Sequence, residues 1–148
     1  MLSSFYSFYN LSINSFHLIF VISICISTDI GGYIFGKTFK GIKLTKISPN
    51  KTYAGMIGGY LLSFICLLII IIFTNYRGTP FEYFLITFLL STVSQVGDII
   101  VSYFKRQASI KNTGNLIPGH GGLLDRIDGM IFAVPTLYLI KLAGFLYL

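Results

Sequence analysis

The sequence predicts an all-α, polytopic integral membrane protein with about four transmembrane helices and two basic cytoplasmic loops. Three observations predict it. Mean hydropathy is +0.77 and only 11% of the residues are charged, a balance foreign to soluble domains. Apolar runs near the roughly 20 residues that a bilayer crossing requires recur along the chain. The cations collect in the polar intervals between alternate runs, as they do in cytoplasmic loops. With 148 residues, the length accommodates a single membrane domain, 1–148.

The first predicted span covers about 16–35. The second covers about 55–74 and carries the run "LLIIIIF" in its second half. The third covers about 81–104 and the fourth about 129–148. Two basic segments lie between them, 36–54 and 105–128. The first holds Lys37, Lys40, Lys43, Lys46 and Lys51, and the second holds Lys105, Arg106, Lys111 and Arg126. These are nine of the eleven cations. The interval between the second and third spans has only Arg77, and the first fifteen residues have none. The excess of cations therefore places both basic segments in the cytoplasm and both termini outside. The aromatic "FYSFYN" near the N-terminus suits an interfacial belt.

A net charge of +6 does not point to nucleic acid, because no soluble basic face exists to make phosphate contacts. Basic loops beside an anionic membrane account for it. Cys25 and Cys66 both fall inside apolar runs and read as buried small hydrophobes rather than a disulfide or metal pair. No cationic stretch precedes the first apolar run, which argues against a cleaved signal peptide. The sequon at Asn10 is too short a match to carry weight.

Ionisable groups inside a span are costly and mark functional candidates. At 100° per residue, Gln95, Asp98, Ser102 and Lys105 fall within an arc of about 80°. One polar stripe thus descends the third span to its cytoplasmic end. Asp29, Tyr33 and Gly36 share a face of the first span by the same spacing. Asp125 and Asp128 stand three residues apart at the start of the fourth, in "PGHGGLLDRIDG". Each could simply favour the first turn of a helix. Together, the four aspartates project toward one membrane face among many cations. Carboxylates there suit Mg²⁺, and Lys and Arg suit phosphate oxygens. His120 has no second ligand at zinc spacing; it reads equally as a phosphate donor or a loop residue. Gly119, Gly121 and Gly122 would let backbone N–H groups approach an anion. Gly55, Gly58 and Gly59 in "GMIGGY" read as a close helix contact.

Read together, these residues resemble the CDP-diacylglycerol synthase (phosphatidate cytidylyltransferase) family. Its signature is matched by Ser102, Lys105, Arg106, Lys111, Asn112, Pro118, His120, Gly121, Gly122, Asp125, Arg126 and Asp128, in register over 27 residues. An upstream Gly-Asp is matched by Gly97 and Asp98. Asp29, Tyr33, Ser48, Pro49, Lys51 and Thr52 look like the family's first-loop elements. Asn112 stands where Asp is usual, and Ala54 where Glu is usual. The likeness covers about residues 25–135, the family's C-terminal catalytic half.

The resemblance implies transfer of a cytidylyl group from CTP to phosphatidic acid, giving CDP-diacylglycerol and pyrophosphate in phospholipid synthesis. It implies Mg²⁺ held by Asp98, Asp125 and Asp128, and leaves a second, monovalent cation open. Lys105, Arg106, Asp125, Arg126 and Asp128 would be catalytic. Lys51, Thr52, Ser102, Lys111, Asn112, His120, Gly121 and Gly122 would bind substrate, with Asp29 a further carboxylate. The expected location is a bacterial inner membrane, with the site facing the cytoplasm. Since longer members carry more helices ahead of this region, a homodimer or a separate N-terminal helical partner is left open. The rival readings are another CTP-dependent membrane enzyme such as a polyprenol or phytol kinase, an inactive subunit, and a transporter. A transporter suits this pattern least, because its polar groups would gather at the midplane.

Overall fold

The structure, a computed structural model, describes residues 15–44, 51–74, 80–108 and 128–143. The described residues form four helices: α1 (Ser15–Phe39), α2 (Tyr53–Thr74), α3 (Pro80–Gln107) and α4 (Met130–Leu142). With 25, 22 and 28 residues at 1.5 Å rise each, the first three exceed the roughly 30 Å hydrocarbon core. Each is apolar enough to cross a membrane. In α4 there are 13 described helical residues, equivalent to only about 20 Å; the remainder of the predicted fourth span, 144–148, lies outside the described residues.

Large apolar side chains face outward along α2. Ile72 is 74% exposed and Phe73 83%. A surface of this kind is stable against lipid and not against water. The chain is an integral membrane protein.

Two predicted boundaries move. α1 runs past residue 35 to Phe39, and α3 past 104 to Gln107. Lys37, Lys105 and Arg106 are therefore helical rather than loop residues. Hydropathy marks where lipid contact ends, whereas a helix continues until its backbone turns. α1 stops at Lys40, a non-glycine residue in the left-handed region (φ 38°), a common way to end a helix. The chain then returns as a short antiparallel crossing. Leu44 donates its N–H to the Lys51 carbonyl (2.7 Å), and Tyr53 donates to that of Ile42 (3.1 Å). Thr52 caps α2, its Oγ1 accepting the Gly55 N–H at 3.1 Å.

The α1–α2 pair is the closest in the bundle. A side chain at Gly58 would run into the Phe35 ring, and one at Gly31 into the Gly58 backbone; at Gly55 it would lie 2.7 Å from the Gly32 carbonyl oxygen. The predicted contact at Gly55, Gly58 and Gly59 is present, and all three are buried. Small residues let two backbones approach where lipid gives no hydrophobic drive.

The core joins Phe20, Val21, Ile24 and Cys25 of α1 to Leu67 of α2. Tyr83, Ile86 and Leu90 of α3 and Ala133, Val134 and Leu137 of α4 complete it. Both cysteines are free, with Cys25 buried. On α3 the buried stripe continues through Ser91, Ser94 and Gly97. Its Ser91 hydroxyl meets α1: Thr28 Oγ1, which donates to the Ile24 carbonyl within α1 (2.8 Å), lies 3.1 Å from Ser91 Oγ. This seam leads directly to Asp98.

Candidate functional site

The ends of the described helices nearest the two basic segments gather at one end of the bundle. A cavity of about 300 Å³ opens there between α1, α2, α3 and the α1–α2 connection. Asp29 and Tyr33 reach it from α1, Gln95 and Asp98 from α3, and Lys51 and Thr52 from the connection. The packing explains the opening. Glycines bring α1 against α2, and Gln95, Asp98 and Ile99 of α3 line the opposite wall. Beneath the cavity, Gln95 donates from Nε2 to the Met56 carbonyl at 3.4 Å and occupies the notch left by Gly59.

Two cross-element ion pairs define the site. Lys51 Nζ lies 3.2 Å from Asp98 Oδ2, with both side chains about 28% exposed. The returning connection thereby sets an ammonium against the Asp98 carboxylate of α3. Lys105 Nζ donates to Asp128 Oδ2 at 2.6 Å, and this pair is buried, with exposures of 12% and 7%. The two pairs adjoin through Gly129. A Cβ there would press on Ser94 Oγ and lie 3.3 Å from Asp98 Oδ1.

Several sequence expectations are met. Gln95, Asp98 and Lys105 form a continuous stripe on α3, with Ser102 half-buried between the last two. Asp29 and Tyr33 share the cavity. Gly36 turns instead to the α2 start, where a Cβ would lie 3.3 Å from Thr52 Oγ1. Thr52, expected as a substrate contact, also has a structural purpose: its oxygen accepts the cap from Gly55, and its O–H remains able to donate. Arg106 is exposed at the foot of α3.

Of the readings open for Asp128, the first-turn one does not hold: the residue lies ahead of the first helical turn of α4. It precedes α4 in a turn, and the first turn of α4 has no acidic residue. Its carboxylate is drawn instead to Lys105, because a buried charge requires a partner more than a helix dipole requires an anion.

Lys111, Asn112, His120, Gly121, Gly122, Asp125 and Arg126, with Ser48 and Pro49, lie outside the described residues. Among the described residues, no three His, Cys, Asp or Glu side chains converge as a metal cage. Sequence reasoning missed Thr28, Gly32, Leu44, Met56 and Ile99 as cavity residues. Only Thr28 had a signal, its place beside Asp29 in a span; the others line the cavity through packing that no local pattern encodes.

Known proteins share this pattern. The model of the cytidylyltransferase family matches residues 1–143. A phosphatidate cytidylyltransferase of Staphylococcus saprophyticus is 40% identical over 122 residues, 82% of this chain and 47% of that protein. One of Rickettsia prowazekii is 39% identical over 134 residues, 84% of this chain and 59% of that protein. One of Staphylococcus haemolyticus is 42% identical over 111 residues, 74% and 43% of the respective chains. The chain spans about half the length of the curated relatives it matches.

Proposed function

The chain belongs to the cytidylyltransferase family, and on that premise we propose that it transfers the cytidylyl group of CTP to phosphatidic acid at the cavity between α1, α2 and α3. The observation that carries this reading is the Lys51–Asp98 pair at the cavity wall (3.2 Å), where cation and carboxylate meet inside a bilayer-spanning bundle. A phosphate oxygen of the lipid forms the new bond to the α-phosphorus of CTP. The bond from that phosphorus to the α–β bridging oxygen breaks, and pyrophosphate leaves. A phosphate monoester is already an adequate nucleophile, so no activated serine or cysteine is required. The difficulty is electrostatic: two polyanions must meet and the departing pyrophosphate must be stabilised.

The residues suit that demand. Lys51, Arg106, Lys111 and Arg126 hold phosphate oxygens. Thr52, Ser102 and His120 donate hydrogen bonds to them, and Asn112, Gly121 and Gly122 complete the substrate contacts. Asp98 and Asp125 would hold Mg²⁺, with Asp128 assisting. The donor chemistry fits that ion, which is commonly held by one or two carboxylates together with substrate phosphates. Bound there, Mg²⁺ would neutralise charge on the triphosphate. A monovalent cation beside it is compatible with the surplus of carboxylate and hydroxyl oxygens. Asp29 lines the same cavity and adds negative charge where cations must collect.

The location we propose is a bacterial inner membrane with the cavity facing the cytoplasm. It is supported by the nine cations of the two basic segments, and it sets the site where soluble CTP and membrane lipid meet. The chain spans about half of its relatives' length; helices from the remaining part, a second copy or a partner would complete the scaffold.

Membranes containing the chain, alone or with the N-terminal half of a relative, are supplied with α-labelled CTP and phosphatidic acid. Label is expected in the lipid product, with pyrophosphate released. Label entering lipid only from γ-labelled CTP would mean a kinase instead. Full activity in well-inserted Asp98→Asn and Asp125→Asn variants would overturn the metal assignment.

A further inference from the structure

Lys105 reads by family position as a phosphate-binding cation, but its geometry is of another kind. Its ammonium donates to Asp128 Oδ2 at 2.6 Å, and both side chains are nearly sealed from solvent. A short ion pair with so little exposure is expensive to break, because losing one partner weakens the compensation of a largely buried charge. The pair does not stand by itself. One residue on, Gly129 packs against Ser94 and Asp98 with no room for a Cβ; one turn further, Phe132 fills the surface of Gly97. The start of α4 is thus pinned to α3 at successive levels, and Lys105–Asp128 is the outermost pin. The two residues also bound the stretch 109–127, which carries Lys111, His120, Asp125 and Arg126. Holding the ends of a long connection together removes loop-closure entropy from whatever arrangement lies between them.

We infer that Lys105 is a positioning residue, not a substrate ligand: it acts through Asp128, and the pair is a clasp that fixes the ends of the signature segment against the foot of α3. Through this pair Asp128 sets where the chain is held, beside any help it gives the metal. The activity arm of the test rests on the cytidylyl-transfer reading; the second arm does not.

In the first arm, kcat and KM for CTP are measured for Lys105→Met, Asp128→Asn and the double variant. A clasp predicts that each single change lowers kcat by on the order of a hundredfold, as a misplacement of about 1 Å can do. KM should change little, and the double variant should be no worse than either single, since the two changes remove one interaction. The exchanged pair, Lys105→Asp with Asp128→Lys, should recover activity above both singles. Losses that multiply, or a rise in KM confined to Lys105→Met, would show that Lys105 holds phosphate and would overturn the inference.

In the second arm, the purified full chain is treated with trypsin, and cleavage after Lys111 and Arg126 is followed by mass spectrometry. Lys105→Met and Asp128→Asn should both accelerate it, and the exchanged pair should restore the slow rate. Unchanged cleavage in both single variants would sink the clasp. A chain that transfers nothing yet shows this cleavage pattern would refute the functional reading and leave the clasp intact.

Discussion

Gly129→Ala tests whether the meeting of α3 and α4 sets the site. The added methyl would press on Ser94 Oγ and lie 3.0 Å from the Ser94 carbonyl oxygen and 3.3 Å from Asp98 Oδ1. A carbon settles against oxygen at about 3.3–3.6 Å. The hydroxyl can rotate away, but the carbonyl belongs to the α3 backbone and cannot. The start of α4 must therefore retreat by roughly 0.3 Å at the least to reach that range. Overfilling a packed contact of this kind costs about 1–3 kcal/mol. The retreat also draws on the adjoining Asp128, whose 2.6 Å bond to Lys105 lengthens, and it crowds the Asp98 carboxylate. We expect a lower melting midpoint in detergent and a loss of transfer activity on the order of tenfold to a hundredfold. Adding Ser94→Ala removes the nearest atom and should recover part of both losses. Wild-type stability and activity in Gly129→Ala would refute the packing argument; a further loss on adding Ser94→Ala would refute its cause.

Other perturbations address the remaining parts. Lys51→Met breaks a half-exposed pair, so stability should shift by only about 0.2–1 kcal/mol, while transfer falls and Mn²⁺ binds more tightly once the ammonium leaves Asp98; electron paramagnetic resonance of free Mn²⁺ reads the change. Gly31→Leu and Gly58→Leu drive side chains into the Gly58 backbone and the Phe35 ring, and size-exclusion profiles should show loss of folded protein. Gly41→Ala, whose new methyl would meet only Ala54 Cβ at 3.7 Å, should be tolerated in the same assay. Thr52→Val removes the cap on Gly55 and should cost about 1 kcal/mol in thermal melts, with Thr52→Ser close to wild type.

Asp98 shows how far a linear reading reaches. It was legible as a candidate because a carboxylate inside an apolar run is costly, and helical periodicity aligned it with Gln95 and Lys105. Its partner was not legible. Lys51 was one of five lysines in its segment, and which of them meets Asp98 depends on a backbone return made by Lys40 in a left-handed conformation and by two hydrogen bonds between residues 42–44 and 51–53. Asp128 shows the reverse case. Spacing from Asp125 left a helical first turn open for it; its carboxylate is paired instead with Lys105 of another helix.

The sequence by itself determined that the chain crosses a membrane, roughly where, and which few residues lipid cannot explain. Those properties follow from local quantities: the length of an apolar run against a fixed bilayer thickness, and the angular period of a helix. Only the tertiary structure decided where helices stop, which glycines bring α1 onto α2, and how each lysine finds its aspartate. These depend on groups distant in the chain but a few ångströms apart in space, where burial turns an ordinary charge into one that must be paired.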